Sequence, residues 1–153
     1  MEPTTVALRW HKRSIERRYD DEVTEWVPES EDEAGFRFSV AAKYSHAEPN
    51  EGDAERPAGT PTLALRLQIL IDQDYLSVEL DIGIRFSFAD DMDMAPEAAA
   101  EFATGLGMHY IVGYARGGLT DLTRSVGLAA ILLPANLPDE VFDDIRESIF
   151  GSA

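Results

Sequence analysis

The chain contains no cysteine, which excludes a disulfide framework, a thiolate metal site and a cysteine nucleophile. A reducing, cytoplasmic setting is compatible with that and is the expected localisation. Also missing is any apolar run of the ~18 residues or more that a membrane-crossing helix needs. The opening stretch, MEPTTVALRWHKR, has no apolar core of signal-peptide length, so neither membrane insertion nor an export signal is expected. Positive charge is scarce: 13 Lys and Arg stand against 29 Asp and Glu, a net charge of −16. That balance argues against a phosphate-binding surface over the whole molecule, so nucleic acid is not an expected partner. The histidines, His11, His46 and His109, fall on different elements without ligand spacing, so no metal and no cofactor is expected.

The few bases are unevenly spread. Arg9, Lys12, Arg13, Arg17 and Arg18 crowd one stretch, and the acids from Asp20 to Glu33 nearly mirror them. Such crowding suits either a local nucleic-acid patch or a solvated, salt-bridged strand face, and the second is the plainer physical explanation.

What is present is periodicity. Residues 4–18 form a first strand in which Val6, Leu8 and Trp10 alternate with Ala7, Arg9 and His11. Ile15 continues at the opposite parity, so a bulge between Trp10 and Ile15 is needed to restore the inward direction. Phe36, Phe38, Val40, Ala42 and Tyr44 share one face of a second strand; Leu63 to Ile71 and Leu76 to Phe88 give a third and a fourth with the same alternation. Asp72-Gln73-Asp74 sits between the last two as a tight hairpin. Their outer faces carry Arg66, Gln68, Glu79, Asp81 and Arg85, which makes an antiparallel sheet with one dry and one wet face. A helix begins near Pro96 and runs to a glycine stop at Gly127. Ala129 to Leu133 is a short apolar connector, and Pro138 opens a terminal helix with Val141, Phe142, Ile145 and Ile149 on its apolar face. The fold class is α+β: a four-stranded antiparallel sheet packed on a long helix plus a short C-terminal helix, in a single domain over 1–153. Two stretches stand outside the elements, an acidic crossover loop over 20–34 and a flexible loop over 48–61.

The long helix holds Gly105, Gly107, Gly113, Gly117 and Gly118. Each costs about 1 kcal/mol relative to alanine, and close packing against another element is the usual compensation. The stripe of Met108, Ile111, Val112, Ala115, Leu119, Leu122 and Val126 needs cover as well. The helix is therefore expected to be covered on more than one side, by the sheet and by another helix or subunit, with Gly113, Gly117, Gly118 and Leu122 at an oligomer interface.

No constellation suggests catalysis. Asp90, Asp91 and Asp93 lack the glycine and distant glutamate of a calcium loop and suit a helix start instead. Gly105-Leu106-Gly107 lies inside a helix, not after a strand, so it is no dinucleotide fingerprint. His109 and Asp121 are about 18 Å apart along the helix axis. Surfaces remain. Trp26, flanked by Val23 and Val27 in the acidic loop, either anchors that loop on the core or borders an apolar groove. Phe142, Ile145 and Ile149 are likewise core or binding surface.

With those elements in place, the chain resembles the bacterial export chaperone SecB and its SecB-like relatives, from about Leu8 to Phe142. GMHYIVGYARGGLTDLTRSVG, with Tyr114, Ala115 and Arg116, looks like the family's Tyr-Ala-Arg segment followed by an apolar helix and a glycine. LLPANLPDEVF, Leu132 to Phe142, is similar to its Leu-x-Pro-x-Asn-Phe signature, with Leu137 replacing the aromatic. The resemblance implies a homo-oligomer, a tetramer built as a dimer of dimers. It further implies an ATP-independent holdase that takes unfolded or nascent polypeptide, a preprotein or an antitoxin, in grooves between the crossover loop and the terminal helix. Val23, Trp26 and Val27 would serve from the loop, and Phe142, Ile145 and Ile149 from the helix. The family's usual mid-helix proline is Gly113 here. Acidic residues of the wet sheet face engage the motor protein SecA in export; of these Glu79 is kept, while Ser14 and Arg18 stand where others fall. That basic surface speaks against SecA as a partner. The alternatives from other classes are a small-ligand-binding α+β domain, with a polar group inside the apolar face, and a structural assembly subunit with its grooves filled.

Overall fold

Alternation of apolar and polar side chains lets each strand wet one face and bury the other, and the four strands pair antiparallel in the order β1-β4-β3-β2. The computed structural model of the chain describes residues 2–18, 36–45, 61–72, 76–89, 94–133 and 137–152. The strands are β1 (Thr5–Arg17), β2 (Arg37–Ser45), β3 (Thr62–Asp72) and β4 (Leu76–Ser87). On β3 and β4 the inward positions, Leu63 to Ile71 and Leu76 to Phe86, are almost completely removed from water. The pairing of Asp72 with Ser77 is that of the expected hairpin, whose turn lies outside the described residues.

Register shifts between Trp10 and Lys12 of β1, leaving His11 as the extra residue. The bulge does what the change of parity demands: Trp10 before it and Ile15 after it both pack on the core. It also divides the basic stretch between two faces, which a single salt-bridged face does not describe. Arg13 and Arg17 turn inward, where Arg13 meets Asp121 at 3.5 Å and Arg17 donates to the Val126 carbonyl at 2.7 Å. Lys12 turns outward and pairs with Glu79.

Helices α1 (Pro96–Phe102) and α2 (Met108–Ser125) are joined by a π-helical turn, Ala103–Gly107. Pro96 stands in the first turn, where its missing N–H costs nothing. The π-turn falls on the two glycines of Thr104-Gly105-Leu106-Gly107, a pattern-level feature that apolar spacing does not announce. There Phe102 meets the edge of Phe86 at 5.0 Å and of Phe88 at 5.2 Å between ring centroids. Helix α2 ends at Gly127, whose φ of 75° lies in the left-handed region that glycine adopts without penalty. Leu128 N–H donates to the Thr123 carbonyl and Gly127 N–H to that of Arg124, closing the end of the helix. The connector then alternates: Leu128, Ile131 and Leu133 are buried while Leu132 is 75% exposed. Helix α3 (Asp139–Ser152) returns to pack against β2. Tyr44 of β2 donates its hydroxyl to the Met94 carbonyl, tying that strand to the start of α1.

Candidate binding surfaces

Helix α3 presents residues at i, i+4 and i+8 to the sheet, and that spacing decides which of its apolar side chains is free to bind. Val141, Ile145 and Ile149 follow it, and the two isoleucines have no exposure at all. They belong to the core, a correction to their expected place at the groove. Phe142 sits one residue round the helix and is half-buried. It borders a hollow of about 490 Å³ between the π-turn, the start of α2 and the start of α3. Met108, Val112 and Leu137 supply further apolar lining, and His109, Arg116 and Asp139 stand around it. The loop residues expected opposite, Val23, Trp26 and Val27, lie outside the described residues, as do Asp90, Asp91, Asp93 and His46.

The second surface is on the flank of α2. Leu106, Tyr110 and Tyr114 recur every fourth residue, and each is between 39% and 46% exposed. Tyr110 packs its ring 5.8 Å from that of Phe86, and Phe86 pairs across the sheet with Val6. Val6 and Leu8 are on the inward face of β1 as expected, but both stay exposed, uncovered by the described helices. The result is an apolar strip running from the edge strand onto the helix. Leu106 and the two tyrosines lie outside the stripe from Met108 to Val126, and of the three only Tyr114 stands out in the sequence, in the Tyr-Ala-Arg segment.

The glycines divide by the same geometry. A Cβ at Gly118 would lie 2.6 Å from the Trp10 indole, and one at Gly107 would lie 2.9 Å from Leu65 and 3.3 Å from the Phe102 carbonyl. These two glycines let the helix down onto the sheet. Gly118 is thus covered within the chain, by β1, and Leu122 is half-buried on the same core. A Cβ at Gly105, Gly113 or Gly117 would meet nothing within 4 Å, so these three lie along open helix surface.

On the outer sheet face, Asp81 accepts from both ends of the Arg66 guanidinium at 2.9 and 2.7 Å and from Gln68 at 3.1 Å. The bond from Arg66 holds the Asp81 carboxyl below the usual carboxylate range against the opposing effect of burial, with smaller help from Gln68 and His11. Among the described residues the buried polar side chains are Thr62, Asp81 and Thr123. Asp81 faces away from the helices, Thr62 lies at a sheet end, and Thr123 bonds back to Thr120 in its own helix. Among the described residues, the polar groups on the inward side include the Tyr44 hydroxyl and the Arg17 guanidinium, which donate to the Met94 and Val126 carbonyls and so are engaged within the chain. No group of three or more His, Asp or Glu side chains among the described residues is placed to hold a metal ion. None of the described helices is long and apolar enough to cross a membrane.

No protein-family model matches the chain, and no curated protein matches it significantly. Solved structures do. The chain is similar to the SecB-like chaperone of Mycobacterium tuberculosis, solved in complex with a peptide from an antitoxin, over 87% of both chains at 12% identity and a TM-score of 0.48. It is also similar to a protein of unknown function from Streptococcus agalactiae, over 85% of this chain and 97% of that one, at 13% identity and a TM-score of 0.51. At 13% identity the likeness to the second structure shows the fold alone, which in this chain is a four-stranded antiparallel sheet backed by a long interrupted helix and a C-terminal helix.

Proposed function

We propose that the chain is an ATP-independent holdase that grips non-native polypeptide with apolar side chains and performs no chemistry of its own. The observation that carries this reading is the pair of uncovered apolar surfaces around an otherwise dry core: the hollow beside Phe142 and the strip from Val6 and Leu8 to Leu106, Tyr110 and Tyr114. The motif resemblance around Tyr114-Ala115-Arg116 and Leu132 to Phe142 supports it.

The two surfaces take different occupants. The strip lies beside the open edge of β1, thirteen residues long, and exposed strand edges call for a partner. It is assigned to a second copy of the chain, with Gly113 and Gly117 allowing close approach of a neighbouring helix. Gly118 and Leu122 stand behind them on the core. The hollow is assigned to the client, with Phe142 on one side and the loop of Val23, Trp26 and Val27 proposed on the other.

Energetics set the form of the mechanism. Each client side chain buried in such a groove contributes about 1.5–3 kcal/mol, and association costs consume much of a three-residue total. One groove binds weakly. Several grooves on one oligomer, holding one long chain, turn weak sites into avidity. The net charge of −16 keeps the loaded complex soluble.

The client is a preprotein or an antitoxin, and toxin and antitoxin genes beside this one would decide for the second. Binding is tested by fluorescence anisotropy with a reduced, carboxymethylated and labelled polypeptide against its native form. Selective binding of the unfolded form is expected; equal or no binding of the two contradicts the assignment.

A further inference from the structure

The outer face of the sheet carries a pattern that client binding on the helix side does not use. In one row across the strands stand Ala7, Arg85, Ala64 and Lys43; in the next stand Arg9, Gly83, Arg66 and Ala41. Long cations and very small residues alternate in both directions. The small residues floor a hollow of about 390 Å³, and the cations rise around it.

Two observations separate this from an ordinary solvated sheet face. Elsewhere on the outer face and its margin the cations have carboxylates: Lys12 pairs with Glu79, Arg18 with Glu16 and Arg37 with Asp72. Arg9, Lys43 and Arg85 have none among the described residues, although acids outnumber bases 29 to 13 in the chain. Secondly, the floor lacks side chains that would fill it, and where the bulge residue His11 does lean in, it rests on Gly83, 3.0 Å from where a Cβ would be.

We propose that this face docks an acidic, extended segment of a partner polypeptide. Charge complementarity selects the sign, and geometry selects the form. The two rows are about 6.8 Å apart along the strands, the separation of alternate side chains in an extended chain. Carboxylates at every second position of the segment therefore meet successive rows of cations, with Ala and Gly giving room for its backbone. Arg66 contributes less than the other three, because Asp81 already neutralises it. A nucleic acid fits worse, since a long polyanion meets the field of the whole acidic molecule while a short acidic segment meets chiefly the local cations.

The test uses the full chain and a fluorescein-labelled peptide of about ten residues alternating Glu and Ser, long enough to cross the patch. Controls are the same peptide with Gln for Glu and a single-stranded oligonucleotide of similar length. The account expects binding of the Glu peptide alone, weakened as salt rises from about 50 to 200 mM, and weakened more than about tenfold by Arg9→Glu, Lys43→Glu and Arg85→Glu together. Should that triple variant melt early, Lys43→Gln with Arg85→Gln serves with a smaller expected loss. Anisotropy of the unfolded client stays unchanged in both variants. No binding of the Glu peptide, equal binding of the Gln peptide, preference for the oligonucleotide, or full affinity in a folded variant overturns the proposal.

Discussion

The indole of Trp10 lies against the backbone of α2 at Gly118, so close that a Cβ there would come within 2.6 Å of it. Arg13 sits over the same ring, 4.8 Å from its centroid, and reaches Asp121 on the helix. One bulge, one tryptophan and one glycine thereby fix how the edge strand meets the helix.

The glycines of α2 should respond oppositely to alanine. Gly118→Ala forces the indole or the helix to move and should cost about 1–3 kcal/mol. Gly113→Ala and Gly117→Ala meet open space and should stabilise the isolated subunit by about 0.5–1 kcal/mol each. If both lie in a helix-to-helix contact, the same pair should loosen the oligomer. Urea unfolding together with sedimentation separates the two effects.

Much of this was legible in the residues. The parity change between Trp10 and Ile15 required the bulge, and strict alternation from Leu63 to Phe88 dictated a sheet with one dry face. Gly127 marked the helix end because few other residues adopt its φ cheaply. Periodicity, however, says which residues share a face and not what covers that face. Ile145 and Phe142 are equally apolar in the sequence; only the packing of α3 on β2 buries one and leaves the other at a hollow. For the same reason Val6 and Leu8 were legible as inward residues, but not as inward residues without a roof. Gly118 shares the glycine-rich pattern of Gly113 and Gly117, although the step of one residue from Gly117, about 100° around the helix, separates what touches Trp10 from what does not.

The difference between Phe142 and Ile145 is measurable. Ile145→Ala empties a core site and should cost about 2–5 kcal/mol of stability. Phe142→Ser should cost less, because the ring is already half in water, and should weaken binding of an unfolded client several-fold. Equal loss of stability in the two variants would contradict the placement of α3.

The strip on α2 is the proposed contact between subunits. Tyr110→Glu with Tyr114→Glu puts two charges in the proposed contact and should shift the protein to a smaller species in analytical ultracentrifugation, with its helical content retained. An unaltered sedimentation coefficient would place the subunit contact elsewhere.

Asp81 gives a pH signature. Its folded-state pKa is lowered, chiefly by Arg66, so its contribution is present in full above the ordinary carboxylate range and is lost as pH falls through the lowered value. The stability difference between the wild type and Asp81→Asn should be constant above about pH 5 and narrow below about pH 4. Its size near neutrality should be at the lower end of about 1–3 kcal/mol, because the Arg66 side is half exposed. Chemical unfolding at a series of pH values checks both.

The most direct test of the holdase assignment is light scattering from a client that aggregates on dilution from denaturant. The account predicts that added protein suppresses the scattering, saturates near stoichiometric amounts and does so without ATP, while Phe142→Ser needs more protein for the same effect. Scattering no lower than with an unrelated protein of equal negative charge would contradict it, since solubility from charge alone would then explain all that is seen.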